Sequence, residues 1–258
     1  MKKNKNFINI KKKQPLFSII TVVLNSDKYL EKTIKSVIGQ KYKGFEYIII
    51  DGGSKDNSLQ IIKKYKNKIN YFISERDRGI YDAFNKGIRL AKGSFICIVN
   101  SDDILKKNAL SIVKKYIDQN PKIDFIFGSV KKHWGILHGY YPKKIYYSWG
   151  FYPSHSTGFF IKRKSAKKIG LYNLKYKYHA DYDYLYRMIV KHKMLGIASK
   201  KEELFGIFRR GGYSSSISFR KKFLEEIKIR IDHKQNYLLV AIIFLNRFIR
   251  NLKQFYKK

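Results

Sequence analysis

Acidic residues are scarce in this chain: 19 Asp and Glu face 55 Lys and Arg, a formal charge of +36 over 258 residues. A balance so far from neutral attracts anionic surfaces, nucleic acid or acidic lipid alike, without specificity. The lysines are spread through every segment, so the charge marks a tendency and maps no site. Cysteine is confined to Cys97, which excludes an intramolecular disulfide or a cysteine-rich zinc site and fits a reducing cytoplasm. Long apolar runs are missing as well. The longest, residues 237–245, is too short to span a bilayer. The basic start MKKNKNFINIKKKQP lacks the apolar core of a secretory signal. No internal repeat is visible. Disorder throughout is excluded by 44% hydrophobic and 16% aromatic content, enough for one substantial core.

What the chain does have is an alternation of two periods. FSIITVVL at 17–24 predicts a first strand, ended by Asn25 and Ser26. Leu30, Ile34, Val37 and Ile38 mark a helix over roughly 28–39. A strand over 45–50 then delivers Asp51-Gly52-Gly53-Ser54, and a helix through Ile61, Ile62 and Tyr65 precedes a strand near 71–74. Helix 80–91 leads to strand 94–99, and helix 105–119 to strand 123–128. Such alternation predicts parallel βαβ units and marks 15–130 as a nucleotide-binding half. Beyond Gly128 the rhythm breaks. Residues 131–158, rich in Tyr, Trp, His, Gly and Lys, read as loops over one sheet edge, and a helix over 181–192 with a strand around 204–208 restores order. Residues 1–14 read as a basic tail, 131–215 as a second half of the domain, which the resemblance named below makes an acceptor half, and 216–258 as a basic helical end.

Several motifs bear chemistry, and each has two readings. The apolar run Ile96–Val99, the pattern of a strand covered on both faces, ends in Asn100-Ser101-Asp102-Asp103. Open α/β sheets bind ligands at that strand end, and a hard divalent cation bridging phosphates takes one or two such carboxylates. The same residues also suit a turn that caps the following helix. Asp51 stands where a carboxylate accepts hydrogen bonds from a base or ribose, with glycines letting a ligand approach the backbone. Alternatively it closes a tight turn capped by Ser54 or Asp56, and Asn25 has the same double reading. Arg78, Asp82, Asn85 and Arg89 share one helical face, while Tyr81, Phe84, Ile88 and Ala91 share another. Arg78 offers a diphosphate a fixed fork of donors, or simply pairs with Asp82. Asp181 and Asp183 open a helix as cap and dipole complement, or Asp181 acts as a base. A helix N-terminus lowers a carboxylate pKa unless burial offsets it.

In order and spacing, DGGS at 51–54, RGIYDAFNKG at 78–87, NSDD at 100–103 and ADYD at 180–183 resemble glycosyltransferase family two, over about residues 15–215. The resemblance implies an α/β GT-A fold, a Rossmann-like and mostly parallel central sheet flanked by helices. It implies an inverting enzyme with a nucleotide-sugar donor, a UDP-sugar first, and a glycan or lipid-linked acceptor in surface-polysaccharide or lipooligosaccharide synthesis. By position it implies Thr21, Asn25, Asp51, Gly53, Arg78, Asp82, Asn85, Ser101 and Asp102 around the donor. Asp103 would ligate Mg²⁺ or Mn²⁺, and Asp181 would be the catalytic base. Ala180 stands where the family often carries a Glu. HSTG at 155–158 resembles an acceptor-side segment, and FRRGGYS at 208–214 a late donor-site loop.

At the far end, Ala241, Leu245, Phe248, Leu252 and Phe255 recur at spacings of three and four, with Arg247, Arg250, Lys253 and Lys257 elsewhere on the helix. That is the pattern of a basic amphipathic helix at a membrane interface, or of a helix packed on its own domain. Peripheral attachment to the inner face of a bacterial membrane is the expectation. One rival class is a nucleic-acid-binding protein, from the charge and the 21 tyrosines. It leaves the carboxylates at strand ends unexplained, so no specific nucleic-acid partner is expected. The other rival is an inactive scaffold, against which Asp103 and Asp181 stand.

Overall fold

Alternate residues of the first strand face opposite ways, and both faces are apolar because both are covered. β1 (Phe17–Val23) is buried along its whole length. The computed structural model that places it describes residues 14–151, 153–209, 211–212 and 217–253. The tail before residue 14, residues 210, 213 and 214 of the late loop, and Phe255 and Lys257 lie outside the described residues.

After β1 come α1 (Asp27–Ile38), β2 (Phe45–Asp51), α2 (Ser58–Lys64), β3 (Tyr71–Ser74), α3 (Ile80–Leu90) and β4 (Phe95–Ile98). These four strands are parallel, with β1 between β2 and β4 and with β3 outside β2. The chain continues through β5 (Ile104–Leu105), α4 (Ala109–Gln119), β6 (Phe125–Phe127), β7 (Ser129–Lys132), β8 (Gly135–Leu137) and α5 (Lys144–Tyr147). Next are β9 (Phe159–Lys162), α6 (Arg163–Ile169), α7 (Ala180–Tyr186), β10 (Gly196–Ala198), β11 (Leu204–Ile207), α8 (Phe219–Asp232) and α9 (Tyr237–Arg250). The main sheet runs β10-β6-β9-β4-β1-β2-β3. Within it β9 alone is antiparallel to its neighbours, wedged between β4 and β6.

On one face of this sheet Ile20, Val22, Ile48, Ile50, Ile96 and Ile98 pack against Tyr81 and Phe84 of α3 and the rings of Tyr172, Tyr182 and Tyr184. On the other, Ile19, Val23, Ile49 and Cys97 meet Leu30, Ile34 and Val37 of α1 and Leu110 and Val113 of α4. Each such side chain contributes about 1.5–3 kcal/mol when fully buried, which is why the strands read as continuous apolar runs.

Three expectations are corrected. Residues 131–158 are not only loops, because 129–137 supply β7 and β8 to a second sheet ordered β5-β11-β7-β8. Strands of three or four residues are too short to show a period. The helix expected from 105 begins at Ala109, since Ile104 and Leu105 pair with β11 instead. The helix expected over 181–192 is α-helical to Tyr186 and then widens into a π-turn over Arg187–Lys191.

The last two helices lie on the domain. Ile229 of α8 enters the core on the α3 side, while Phe223, Val240 and Phe244 gather against Trp149. Arg230 is fully buried, donating to the carbonyls of Tyr146 and Ser148 and to the Glu226 carboxylate. The apolar stripe expected on α9 divides. Phe248 joins the packed side, and an outward ridge of Leu238, Ile242, Leu245, Ile249 and Leu252 stays exposed.

Candidate active site

Four parallel strands end at one edge, and that edge collects the motifs: Asn25 after β1, Asp51 closing β2, Glu75–Arg78 after β3, and Asn100–Asp103 after β4. The first two loops are laced to each other. Asn25, in the left-handed region at φ 48°, accepts from the Lys55 N–H at 2.8 Å, and its own N–H donates to Ser54 Oγ at 2.9 Å. Gly53 holds φ 86°, a conformation that a residue with a Cβ adopts only under strain. The buried Asp51 carboxylate accepts from the Gly53 and Ser54 N–H groups, both at 3.1 Å, from Ser54 Oγ, and from Ser74 Oγ at 2.7 Å. Its acceptor capacity is thus turned on its own loop, and it shapes the edge through the backbone of 52–54.

Two sequence-expected donor contacts are corrected outright. Thr21 is fully buried with its hydroxyl taking the Tyr47 O–H at 3.0 Å, so it belongs to the core. Asn85 is also buried. Its Nδ2 donates to the Tyr172 carbonyl and its Oδ1 accepts the Tyr172 N–H, each at 2.9 Å, so it clamps α3 to the 170s segment. Arg78 is largely exposed. Its guanidinium and backbone N–H both reach Asp82, at 3.2 and 3.1 Å, which holds that carboxyl below its ordinary pKa against the opposing effect of burial. Beside them Lys86 bridges Glu75 at 2.8 Å and Asp77 at 2.5 Å. Ser101 is half-buried, and its carbonyl accepts from Thr33 Oγ1 at 2.9 Å.

The acid pair after β4 is asymmetric. Asp102 keeps part of its side chain exposed and pairs with Arg209 at 3.0 Å. Asp103 is buried: Oδ2 accepts from Thr157 Oγ1 at 3.0 Å and Asn100 Nδ2 at 3.3 Å, and Oδ1 accepts from the Arg209 N–H at 3.3 Å. Burial, and then the Asp102 charge, push the Asp103 carboxyl up to about 7. His155 Nδ1 lies 3.3 Å from it. Burial, aided by Lys132, drives that imidazole down to about 3, so the contact is not an ion pair. Arg209 also covers the Tyr29 ring, 3.8 Å from its centroid.

These residues fit a divalent cation. Two adjacent carboxylates stand beside a neutral imidazole, and the buried Asn100 Oδ1 finds no hydrogen-bond partner among the described residues. No cluster of three or more His, Cys, Asp or Glu side chains forms a metal cage among the described residues. Mg²⁺ and Mn²⁺ take one or two protein carboxylates and complete their shell with phosphate and water.

Asp181 lies in the first turn of α7, half-buried. Its Oδ1 accepts the Tyr182 N–H at 2.9 Å and lies 3.2 Å from the Tyr81 hydroxyl, which also reaches the Tyr178 carbonyl at 3.1 Å. Tyr81 is in the first turn of α3, so Asp181 faces the same strand-end edge. Burial raises its pKa to about 6, overriding the hydrogen bonds that lower it. Ala180 beside it is fully buried.

Sequence reasoning missed three contributors. Tyr81 reads as core because its ring is core, and only its hydroxyl reaches the site. Lys132 lies over the Phe208 ring at 4.8 Å, and Phe208 packs on His155 at 4.5 Å, building a wall beside Asp103. Glu225 of α8 accepts three backbone N–H groups just ahead of Asp181. No local pattern could have revealed it.

A family model described as Glycosyl transferase family 2 matches residues 18–181. An uncharacterized glycosyltransferase of Methanocaldococcus jannaschii is 30% identical over 224 residues, covering 81% of this chain and 77% of its own length. A PGL/p-HBAD biosynthesis glycosyltransferase of Mycobacterium bovis is 28% identical over 232 residues, covering 83% and 84%. The fold is shared with Staphylococcus aureus TarS 1–349 in complex with UDP-GlcNAc, at a TM-score of 0.64 and 18% identity, covering 93% of this chain and 78% of that one. It is shared equally with a Pyrobaculum calidifontis mannosyltransferase in complex with GDP-Man and Mn²⁺, at 0.65 and 14% identity, covering 91% and 70%.

Proposed function

Because the chain belongs to glycosyl transferase family 2, we propose that it moves a sugar from a nucleotide diphosphate to a glycan or lipid-linked hydroxyl, inverting the anomeric carbon, in cell-surface polysaccharide or lipooligosaccharide synthesis. One observation carries this reading: the same sheet edge bears an acid pair under an arginine and, at Tyr81, a half-buried carboxylate poised near neutrality. The bound molecules of the TarS and mannosyltransferase neighbours support a sugar nucleotide, with a UDP-sugar the first candidate.

In this mechanism Asp181 takes the proton of the acceptor hydroxyl as its oxygen attacks the anomeric carbon. The bond from that carbon to the diphosphate oxygen breaks, and the diphosphate leaves with the electron pair. A single displacement inverts the centre. Arg209, and Arg78 once turned from Asp82, offer donors to the leaving group. Asp102, Asp103 and Asn100 Oδ1 would hold Mg²⁺ or Mn²⁺, which supplies positive charge to the departing phosphates when bound. Asn25, Gly53 and Ser101 line the donor edge, with Asp51 folding the loop beneath. Exposed Trp134 and Tyr141 in the 131–158 segment offer a glycan acceptor stacking faces.

The acceptor's chemistry also bears on location. Among the described residues no helix is long and apolar enough to cross a membrane. The outward ridge of α9, with Arg250 exposed at its end and Lys253 exposed just beyond it, supports peripheral attachment to an anionic membrane surface.

The deciding experiment is nucleotide release from UDP-, GDP- and dTDP-sugars, with and without Mn²⁺, by wild type and Asp103→Ala. The expected result is one donor turned over, stimulated by metal, and slowed at least about 100-fold in the variant. Absence of both turnover and donor binding by calorimetry would overturn the reading in favour of a scaffold.

A further inference from the structure

The segment that carries Asp181 is tied down from a distant part of the chain. Across residues 175–183, α8 and the residue after it supply the partners. Asp232 accepts from Lys175 Nζ at 2.9 Å and from the Tyr176 hydroxyl at 2.7 Å. Glu225 accepts the N–H groups of Lys177, Tyr178 and His179 at 2.6, 2.5 and 2.8 Å. His233 meets Asp183 at 2.8 Å.

The Glu225 contacts differ in kind from the rest. Three successive backbone N–H groups form a concavity suited to an anion, and here a side chain 46 to 48 residues later fills it. Hydrogen bonds to a charged acceptor are short and about twice as strong as neutral ones. The N-cap residue His179 makes no side-chain cap hydrogen bond, and Asp181 serves the Tyr182 N–H, inside the helix. The peptide joining Tyr178 to His179 is also held at both ends: its N–H points to Glu225 Oε2 and its carbonyl to the Tyr81 hydroxyl. That hydroxyl is the group lying 3.2 Å from the Asp181 carboxylate.

We propose that Glu225 is a positioning residue for Asp181, setting the direction of the first turn of α7 by gathering the three N–H groups ahead of it. The proposal rests on the reading of Asp181 as the base. A general base works only within hydrogen-bond reach of its proton, and a displacement of 1 Å can cost about 100-fold in rate. The basic helical end of the chain therefore contributes to the reaction through Glu225, without touching the substrate.

The test uses the full chain and the sugar nucleotide turned over in the donor panel. Glu225→Gln keeps the length but turns an amide N–H toward a backbone N–H. It should lower kcat about tenfold, leave the donor Kd by calorimetry within about twofold, and speed hydrogen exchange of the 177–179 amides. Combined with Asp181→Asn it should cause no further loss, because the positioned group is already gone. Tyr81→Phe, which preserves the ring packing, should show the same non-additivity with a loss of about threefold to tenfold, and it carries the test should Glu225→Gln fail to fold. Unchanged kcat with freely exchanging 177–179 amides would overturn the proposal, as would losses that multiply with Asp181→Asn. Normal turnover by Asp181→Asn alone would instead sink the base assignment, and the proposal with it.

Discussion

A carboxylate beside a helix start ordinarily stays strongly acidic. Asp181 does not, because burial outweighs the Tyr182 N–H and the Tyr81 hydroxyl and lifts it to about 6. A base must be ionised to work, so kcat/KM should rise with pH through about 6 and level off above it; a flat profile between pH 5 and 7 would contradict the assignment. The sign for stability is opposite. A carboxyl raised above its unfolded value of 3.8 penalises the fold where it is ionised, and the penalty is relieved as pH falls through about 6 toward the unfolded value. Asp181→Asn should therefore lose roughly two or more orders of magnitude in rate while melting a few degrees higher by calorimetry. Asp181, Asp102 and Asp103 stand out in the sequence as candidates, by residue types at helix and strand ends and by the family resemblance. Thr21 and Asn85 were misread, because only packing shows that their polar groups face Tyr47 and the Tyr172 backbone.

Among the elements, strands that cross the core were readable and those that only patch it were not. β1, β2 and β4 announce themselves as apolar runs because both faces are covered. β7 and β8 are short and partly exposed, β7 carries two lysines, and they acquire their form from β11 and from each other. The junction between the two sheets is tight at Gly128, where an added Cβ would overlap the Phe205 ring. Gly128→Ala should destabilise by about 1–3 kcal/mol, read as a lower urea midpoint. Pairing it with Phe205→Leu should recover part of that loss, and a melt indistinguishable from wild type would refute the crowding argument.

At the scale of the whole molecule, charge and exposed apolar surface point the same way. A net charge of +36 repels other copies and favours anionic surfaces, and under the proposed peripheral attachment the ridge of α9 would bury its side chains in the bilayer. Wild type should co-sediment with vesicles containing anionic lipid, less so as salt rises and shortens the Debye length. Leu245→Asp with Ile249→Asp should abolish that association and leave the turnover of a soluble donor intact. Equal sedimentation of both proteins would remove α9 as the anchor. The packing of α8 against the 177–179 backbone could not be read from its sequence, since the partners of Glu225 lie 46 to 48 residues away.

The antiparallel strand β9 has a consequence for how the molecule is made. Its four residues alone join β3-β2-β1-β4 to β6-β10. A nascent chain that has emerged only as far as β6 can assemble the four parallel strands β1 to β4, but the edge of β4, apolar at every position, then stands open. An unpaired apolar edge recruits other strands. A stall before residue 159 would thus leave this edge exposed to aggregation.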